Sequence, residues 1–109
     1  MNIEDTISVN GSEYEVVIHR SGDSRAPLFI YINGKREGST FGGYVYSIKD
    51  RANKVYQVTL KTGDCEDMAS SLGNLMCKKY AYPNYCNVNG VDAMDYNFVL
   101  YELNVLMGR

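Results

Sequence analysis

The sequence has little of what catalytic and metal-binding sites are built from. Its 109 residues include one histidine and three cysteines, and no two cysteines are closely spaced. A nucleophile needs a neighbouring base that a third group orients, and structural zinc sites present their ligands in close pairs. We therefore expect no catalytic residues, no cofactor and no metal site built from Cys65, Cys77, Cys86 and His19. Cys77 and Cys86 are interpreted as small buried side chains.

The sequence also lacks long apolar runs and an excess of positive charge. No apolar segment approaches the roughly 18 residues that a membrane span requires, and the N-terminal MNIEDTISVNG does not resemble a secretory signal. An odd number of unpaired cysteines suits a reducing compartment, and a net charge of −2 offers a polyanion no attraction. We expect a cytoplasmic protein, possible also in the nucleus, that binds neither membrane nor nucleic acid.

The first third of the chain has the alternation that is typical of β-hairpins. Ile7–Val9 and Tyr14–Ile18 flank Asn10-Gly11, a pair that favours the positive φ angles of a tight turn. After the polar segment Ser21–Pro27, Leu28–Ile32 is apolar at every position, which predicts a central strand covered on both faces.

A second hairpin is predicted further along the chain. Asn33-Gly34 is a turn signal, and the polar, glycine-rich Lys35–Gly43 indicates a loop or an irregular edge. Tyr44–Ile48 and Val55–Leu60 then flank the polar KDRANK segment and are predicted to pair.

The hydrophobic period changes in the second half. Apolar residues at helical spacing predict a helix from about Cys65 to Tyr80, with Asp64 as its N-cap and Pro83 beyond its end. NYCNV is a short strand, and a capping pair, Asp92 and Asp95, precedes a final helix that reaches about Met107. This order predicts a single α+β domain over residues 1–109, with an antiparallel, sandwich-like sheet of about six strands and two helices in the C-terminal half.

The chain has ten tyrosines and no tryptophan, and several tyrosines lie on predicted strands. LFIYIN and FGGYVY imitate the two aromatic strands of the RNA-recognition motif, but that motif places a whole helix between them. We interpret Tyr31, Tyr44 and Tyr46 as core or interface aromatics. A nucleic-acid-binding module that uses these strands is the alternative function, and an enzyme with an unrecognised site is a third.

The final helix carries two apolar sides. At 100° per residue, Asp95 and Glu102 share one line, and Asn97 and Asn104 lie on nearly the opposite line. These polar lines separate two groups of apolar residues. One group is Met94, Phe98, Tyr101 and Val105, and the other is Tyr96, Val99, Leu100, Leu103, Leu106 and Met107.

A surface helix of a small monomer normally has one apolar stripe. Either both groups pack inside this chain, against the sheet and the first helix, or one group contacts another polypeptide. Burying four large side chains contributes at most roughly 6–12 kcal/mol, whereas association costs about 4–15 kcal/mol. We predict a partner interface at Met94, Phe98, Tyr101 and Val105, supplemented by an edge strand or a tyrosine-rich rim.

The segments MASSLGNLMCKKY, PNYCNV and DYNFVLYELNVLM resemble the proteasome assembly chaperone 4 family. PLFIYI and GGYVYSI fit the preceding strands of that family, so the resemblance covers about Tyr14 to Met107. It implies a non-enzymatic chaperone of the 20S proteasome that pairs with a chaperone 3-like subunit in a heterodimer of like-folded domains. A homodimer remains open.

The resemblance also implies a client. Family members attend the α-type subunit α5 during formation of the α-ring and leave the finished particle. Such a chaperone needs an apolar face for its permanent partner and a releasable face for its client, and it needs no catalytic group or cofactor.

Overall fold

The structure is a computed structural model that describes residues 2–20, 26–34, 42–80 and 82–108. Most of the two predicted polar loops, at positions 21–25 and 35–41, lies outside the described residues. The described elements confirm the predicted α+β class with six strands and two helices. They are β1 Asn2–Val9, β2 Ser12–His19, β3 Leu28–Gly34, β4 Gly43–Lys49, β5 Val55–Lys61, α1 Glu66–Tyr80, β6 Asn84–Asn89 and α2 Tyr96–Met107.

Both predicted hairpins form, each around a turn that local chemistry specifies. Asn10 and Gly11 have φ angles of +49° and +81°, the left-handed values that the β1–β2 turn requires. In the β4–β5 turn the Asp50 carboxylate accepts hydrogen bonds from the backbone N–H groups of Ala52 and Lys54, both at 2.9 Å.

The six strands form one sheet in the order β1-β2-β3-β6-β4-β5. All neighbouring strands are antiparallel except β3 and β6, which pair in parallel from Leu28↔Asn84 to Asn33↔Asn89. A parallel neighbour requires a crossover connection, and α1 supplies part of it. The expectation of a wholly antiparallel sheet is corrected at this pair, whereas the central position of Leu28–Ile32 is confirmed.

The predicted turn at Asn33-Gly34 is wrong. Both residues belong to β3, and Gly34 pairs with Tyr14 of β2. The glycine is required for packing, because a Cβ at this position would collide with the backbone carbonyl of Gly90.

Both helices lie on one face of the sheet and enclose the core. The central strands contribute alternate side chains to it, so Leu28, Ile30 and Ile32 are buried while Phe29 and Tyr31 are half-buried on the other face. The expectation that this strand is covered on both faces is therefore wrong for the described residues. The helices contribute a set of fully or almost fully buried side chains. These are Ala69, Leu72, Met76, Val99, Leu103, Leu106 and Met107.

The helix starts differ from the predicted caps. The first α1 turn begins with the N–H of Ala69 bonded to the carbonyl of Cys65, so Cys65, not Asp64, occupies the cap position, with φ +62°. At α2 the predicted capping pattern began at Asp92, whereas the N-cap is Asp95, and its carboxylate makes no capping hydrogen bond. Neither helix in the described part of the chain is long and apolar enough to cross a membrane.

Candidate protein-protein interfaces

The predicted interface residues on and beside α2 form one exposed apolar strip. We call Met94, Phe98, Tyr101 and Val105 the α2 strip. Their exposed fractions run from 42% at Val105 to 82% at Met94, values far above those of core side chains. The structure thus brings all four predicted residues together on the surface. These four side chains are not part of the core of this chain. The alternative in which both apolar sides of the helix are buried within the chain is therefore wrong.

The opposite side of α2 anchors the helix to the domain. Val99 and Leu103 are fully buried, and they lie across the helix from the α2 strip. A helix held this way projects its strip away from the sheet, because residues that differ by about half a turn point in opposite directions. The strip is therefore presented on a fixed surface.

Polar contacts fix α2 at both ends. At its start, the Tyr14 hydroxyl donates to the Asp95 carboxylate at 2.6 Å, and the Asn10 side-chain amide donates to the same carboxylate at 3.1 Å. Near its end, the Lys79 ammonium donates to the Asn104 side-chain oxygen at 3.1 Å. The first contact is buried and the last is exposed, so the start of α2 is the better anchored end.

A second apolar surface covers the side of the sheet that carries no helix. We call Phe29, Tyr31, Tyr44, Tyr46 and Tyr85 the sheet face. The Tyr85 ring stacks on Phe29 with centroids 5.0 Å apart and planes 7° from parallel, and it meets Tyr46 at 4.7 Å. Because the rings come from β3, β6 and β4, they form a continuous aromatic surface across three neighbouring strands.

Two pairs of polar side chains on this side of the sheet are hydrogen-bonded to each other. The hydroxyls of Tyr31 and Tyr44 lie 3.3 Å apart, and the Asn87 amide donates to the Asn33 side-chain oxygen at 3.3 Å. Tyrosine is neutral at physiological pH, and burial raises the pKa of the Tyr44 and Tyr46 phenols further. When a protein covers a neutral aromatic surface, polar atoms that are already paired lose less hydration than unpaired ones.

The apolar surface continues onto the edge strand β5. Val58 and Tyr56 lie opposite Tyr46 and Ile48 of β4, and the exposed fractions of the two β5 side chains are 56% and 50%. Gln57 points to the helix side, where its amide donates to Ser47 and to the carbonyl of Ser70. Gln57 thus ties β5 to α1, although the side chains on both faces of β5 are exposed from Tyr56 to Lys61.

The cysteines and the histidine do not form a common site. The Cys86 thiol is fully buried and donates to Asn84, whose amide contacts the Cys77 sulfur at 3.4 Å. Cys65 donates to the carbonyl of Val91, while exposed His19 contacts Asn2. Burial raises the pKa of all three thiols. Within the four described ranges, no group of three or more His, Cys, Asp or Glu side chains is placed to hold a metal ion.

The sheet face was only partly foreseen from the sequence. Tyr31, Tyr44 and Tyr46, interpreted as core or interface aromatics, are half-buried on this surface and not in the core, so their interface role stays a prediction. Phe29 and Tyr85 were not assigned to that surface. The available signal was the alternation of aromatic residues with buried ones along β3, β4 and β6. That signal does not tell whether a helix of the same chain covers the aromatic side.

Comparison with solved structures finds a protein of similar fold. The fold is similar to that of a chain in the crystal structure of a novel chaperone complex for yeast 20S proteasome assembly, with a TM-score of 0.81 and 21% sequence identity. The similarity covers 99% of this chain and 94% of that chain. No curated protein matches the sequence.

The family model for 20S proteasome chaperone assembly proteins 3 and 4 matches residues 2–107. It confirms the resemblance found in the sequence and extends it to β1, which that resemblance did not include. Nucleic-acid binding finds no support in these comparisons. The chain belongs to the family of 20S proteasome chaperone assembly proteins 3 and 4.

Proposed function

We propose that this chain is one subunit of a dimeric chaperone of the 20S proteasome, paired with a chaperone 3-like subunit, that binds the α-type subunit α5 during α-ring formation. The observation that carries the proposal is the pair of apolar surfaces, the sheet face and the α2 strip, on different sides of a family member. Two separate apolar surfaces allow the chain to contact its partner subunit and α5 at the same time. Proteasome assembly chaperones are not an enzyme class, and we propose a binding role without catalysis.

We assign the permanent partner to the sheet face. Its stacked rings lie on three neighbouring strands, and exposed Val58 and Tyr56 extend it to the sheet edge. Permanent interfaces are larger and more apolar than transient ones, and aromatic side chains are enriched at their centres. Covering this side of the sheet would complete a two-sheet sandwich if the partner has the same fold.

The α2 strip, predicted as the partner interface, is proposed as the contact with α5. Its four side chains would contribute roughly 6–12 kcal/mol on burial, which is comparable to the roughly 4–15 kcal/mol that association costs. The exposed polar residues Asn97 and Glu102 flank the strip on either side. A small apolar strip with polar borders suits a contact that must later be released.

The test uses the chain co-expressed with the chaperone 3-like subunit and then mixed with α5. Tyr46→Glu places a charge in the sheet face, whereas Phe98→Asp places one in the α2 strip. Analytical ultracentrifugation of each variant should find that Tyr46→Glu prevents the heterodimer and that Phe98→Asp preserves the heterodimer but loses α5. If the wild-type chain forms no complex with either protein, the proposed function is wrong.

A further inference from the structure

We propose that the outer edge of β5 is a strand-addition site for an extended segment of another protein, with alternating apolar side chains and an acidic end. Here β5 is the last strand of the sheet, and no described strand pairs with its outer side. An edge strand presents backbone N–H and C=O groups that an added strand can pair with. This site goes beyond the two surfaces assigned above because it binds through the backbone at the sheet edge.

The middle of β5 lacks the features that normally protect an edge. Sheet proteins block their edges with charged residues, proline or very short strands. Five consecutive uncharged residues, Tyr56 to Leu60, make up most of this seven-residue strand. All five are exposed, and neither proline nor glycine interrupts them.

The opposite edge of the same sheet provides the contrast. In the middle of β1, Glu4 and Asp5 are adjacent and exposed, and Glu15 of β2 lies opposite Thr6. An incoming acidic strand would meet these like charges at β1. The sheet thus has one edge that carries charges in its middle and one that does not, which favours strand addition at β5 alone.

The charges at the β4–β5 turn indicate what the added strand carries. Lys49, Arg51 and Lys54 surround the beginning of β5, and Arg51 and Lys54 are exposed. The acidic residue among them, Asp50, has a carboxylate oxygen that accepts two backbone hydrogen bonds of the turn. The surplus of positive charge therefore favours Asp or Glu at the end of the strand that lies beside this turn.

Side-chain alternation indicates the rest of the segment. Tyr56 and Val58 point to the sheet face, whereas Gln57 lies on the helix side. Neighbouring strands place directly opposite side chains on the same face. The added strand would therefore carry apolar residues on the sheet-face side and polar residues on the helix side.

The probe is a synthetic ten-residue peptide of alternating valine and threonine with glutamate at both ends. Isothermal titration calorimetry should find binding that falls at least fivefold when the glutamates are replaced by lysines. Amide hydrogen exchange, measured by NMR, should slow at alternate residues of β5 and stay unchanged in β1. A peptide N-methylated at alternate positions should not bind, since it cannot complete the backbone ladder.

Protein variants separate the two edges. Thr59→Asp puts a negative charge on the middle of β5 and should abolish binding of the glutamate peptide, while the matched edge variant Thr6→Asp on β1 should leave it unchanged. The proposed site would be overturned if the glutamate peptide did not bind the wild-type chain, or if the lysine or N-methylated peptide bound as tightly as the glutamate peptide. Slower amide exchange at β1 would also overturn it. Thr59→Asp should still form the heterodimer, so a failed peptide experiment would not bear on the proposed chaperone role.

Discussion

The Tyr14 hydroxyl donates a 2.6 Å hydrogen bond to the Asp95 carboxylate, joining the second strand to the start of the last helix across 81 positions of sequence. Both side chains are buried. The same hydroxyl accepts a hydrogen bond from the backbone N–H of Asp92 at 3.4 Å. One phenol therefore contacts both Asp92 and Asp95 at the start of α2. A buried carboxylate is tolerated here because Tyr14 and Asn10 satisfy it.

Tyr14→Phe should destabilise the fold by about 1–3 kcal/mol, since it leaves a buried carboxylate short of a donor. Urea unfolding followed by circular dichroism measures the change. Tyr101→Phe removes a hydroxyl from an exposed side chain on α2 and should change stability by less than about 0.5 kcal/mol. Equal stabilities for the two variants would contradict the role given to the buried hydrogen bond.

Gly73→Ala should destabilise the protein by about 1–3 kcal/mol, as expected for overpacking. A Cβ at Gly73 would collide with the Ser47 hydroxyl and lie 3.1 Å from the Asn84 side-chain oxygen. The control is Gly108→Ala, where the nearest atom is 3.5 Å away and φ is −81°. Thermal unfolding should give a lower midpoint for the first variant and an unchanged or higher one for the second.

Phe98→Asp should weaken the proposed binding of α5 by about 30-fold or more, the loss expected for a hot-spot residue at about 2 kcal/mol. Phe98 is 59% exposed, so the substitution removes no core contact and the domain should remain folded. Tyr101→Asp should act in the same way. Surface plasmon resonance against α5 measures both.

Asn97→Asp is the matched control for these variants. It adds the same charge to the same helix, at an exposed position outside the strip, and should bind α5 almost normally. If Phe98→Asp instead lost the heterodimer and kept α5, the α2 strip would be the dimer interface, as the sequence predicted.

Stability should fall as the pH rises above about 9. Burial raises the pKa of the Cys86 and Cys77 thiols and of the Tyr14 phenol in the folded chain. The stabilising contribution of such groups is fully present below their unfolded pKa values, about 8.5 for Cys and 10 for Tyr, and is lost above them. Urea midpoints at pH 7, 9 and 10.5 measure the trend.

Cys86→Ala tests the cause of this pH dependence. The variant lacks the fully buried thiol and should lose less stability between pH 7 and pH 10.5 than the wild-type chain does. Its stability at pH 7 should be slightly lower because a small buried side chain is shortened. Identical pH profiles would mean that the thiol does not contribute to alkaline unfolding.

The local sequence pattern, meaning turn residues and the spacing of apolar residues, was sufficient to predict most helices and strands of the fold. Asn10-Gly11 specified the first turn, and the helical spacing before Pro83 predicted α1 to within one residue at its start. These features depend on neighbouring residues alone. The predicted separation of α2 into two apolar sides was also correct, because a helix period places side chains in known directions.

Features that depend on distant residues were missed. Asp92 and Asp95 have the spacing of a capping pair, yet the Asp95 carboxylate accepts a hydrogen bond from Tyr14 and caps no helix. The parallel pairing of β6 with β3 likewise cannot be inferred from NYCNV, because strand direction depends on the path of the whole connection. Val55 to Leu60 alternates like a half-buried strand, although β5 lies at the sheet edge and Tyr56 to Leu60 are exposed on both faces.

The insertion of β6 between β3 and β4 has a consequence for synthesis of the chain. Until residues 84–89 have left the ribosome, β1–β3 and β4–β5 are two separate halves without a shared hydrogen-bonded neighbour. The nascent polypeptide therefore cannot assemble its aromatic surface early. The proposed pairing through that surface therefore requires translation of β6 first.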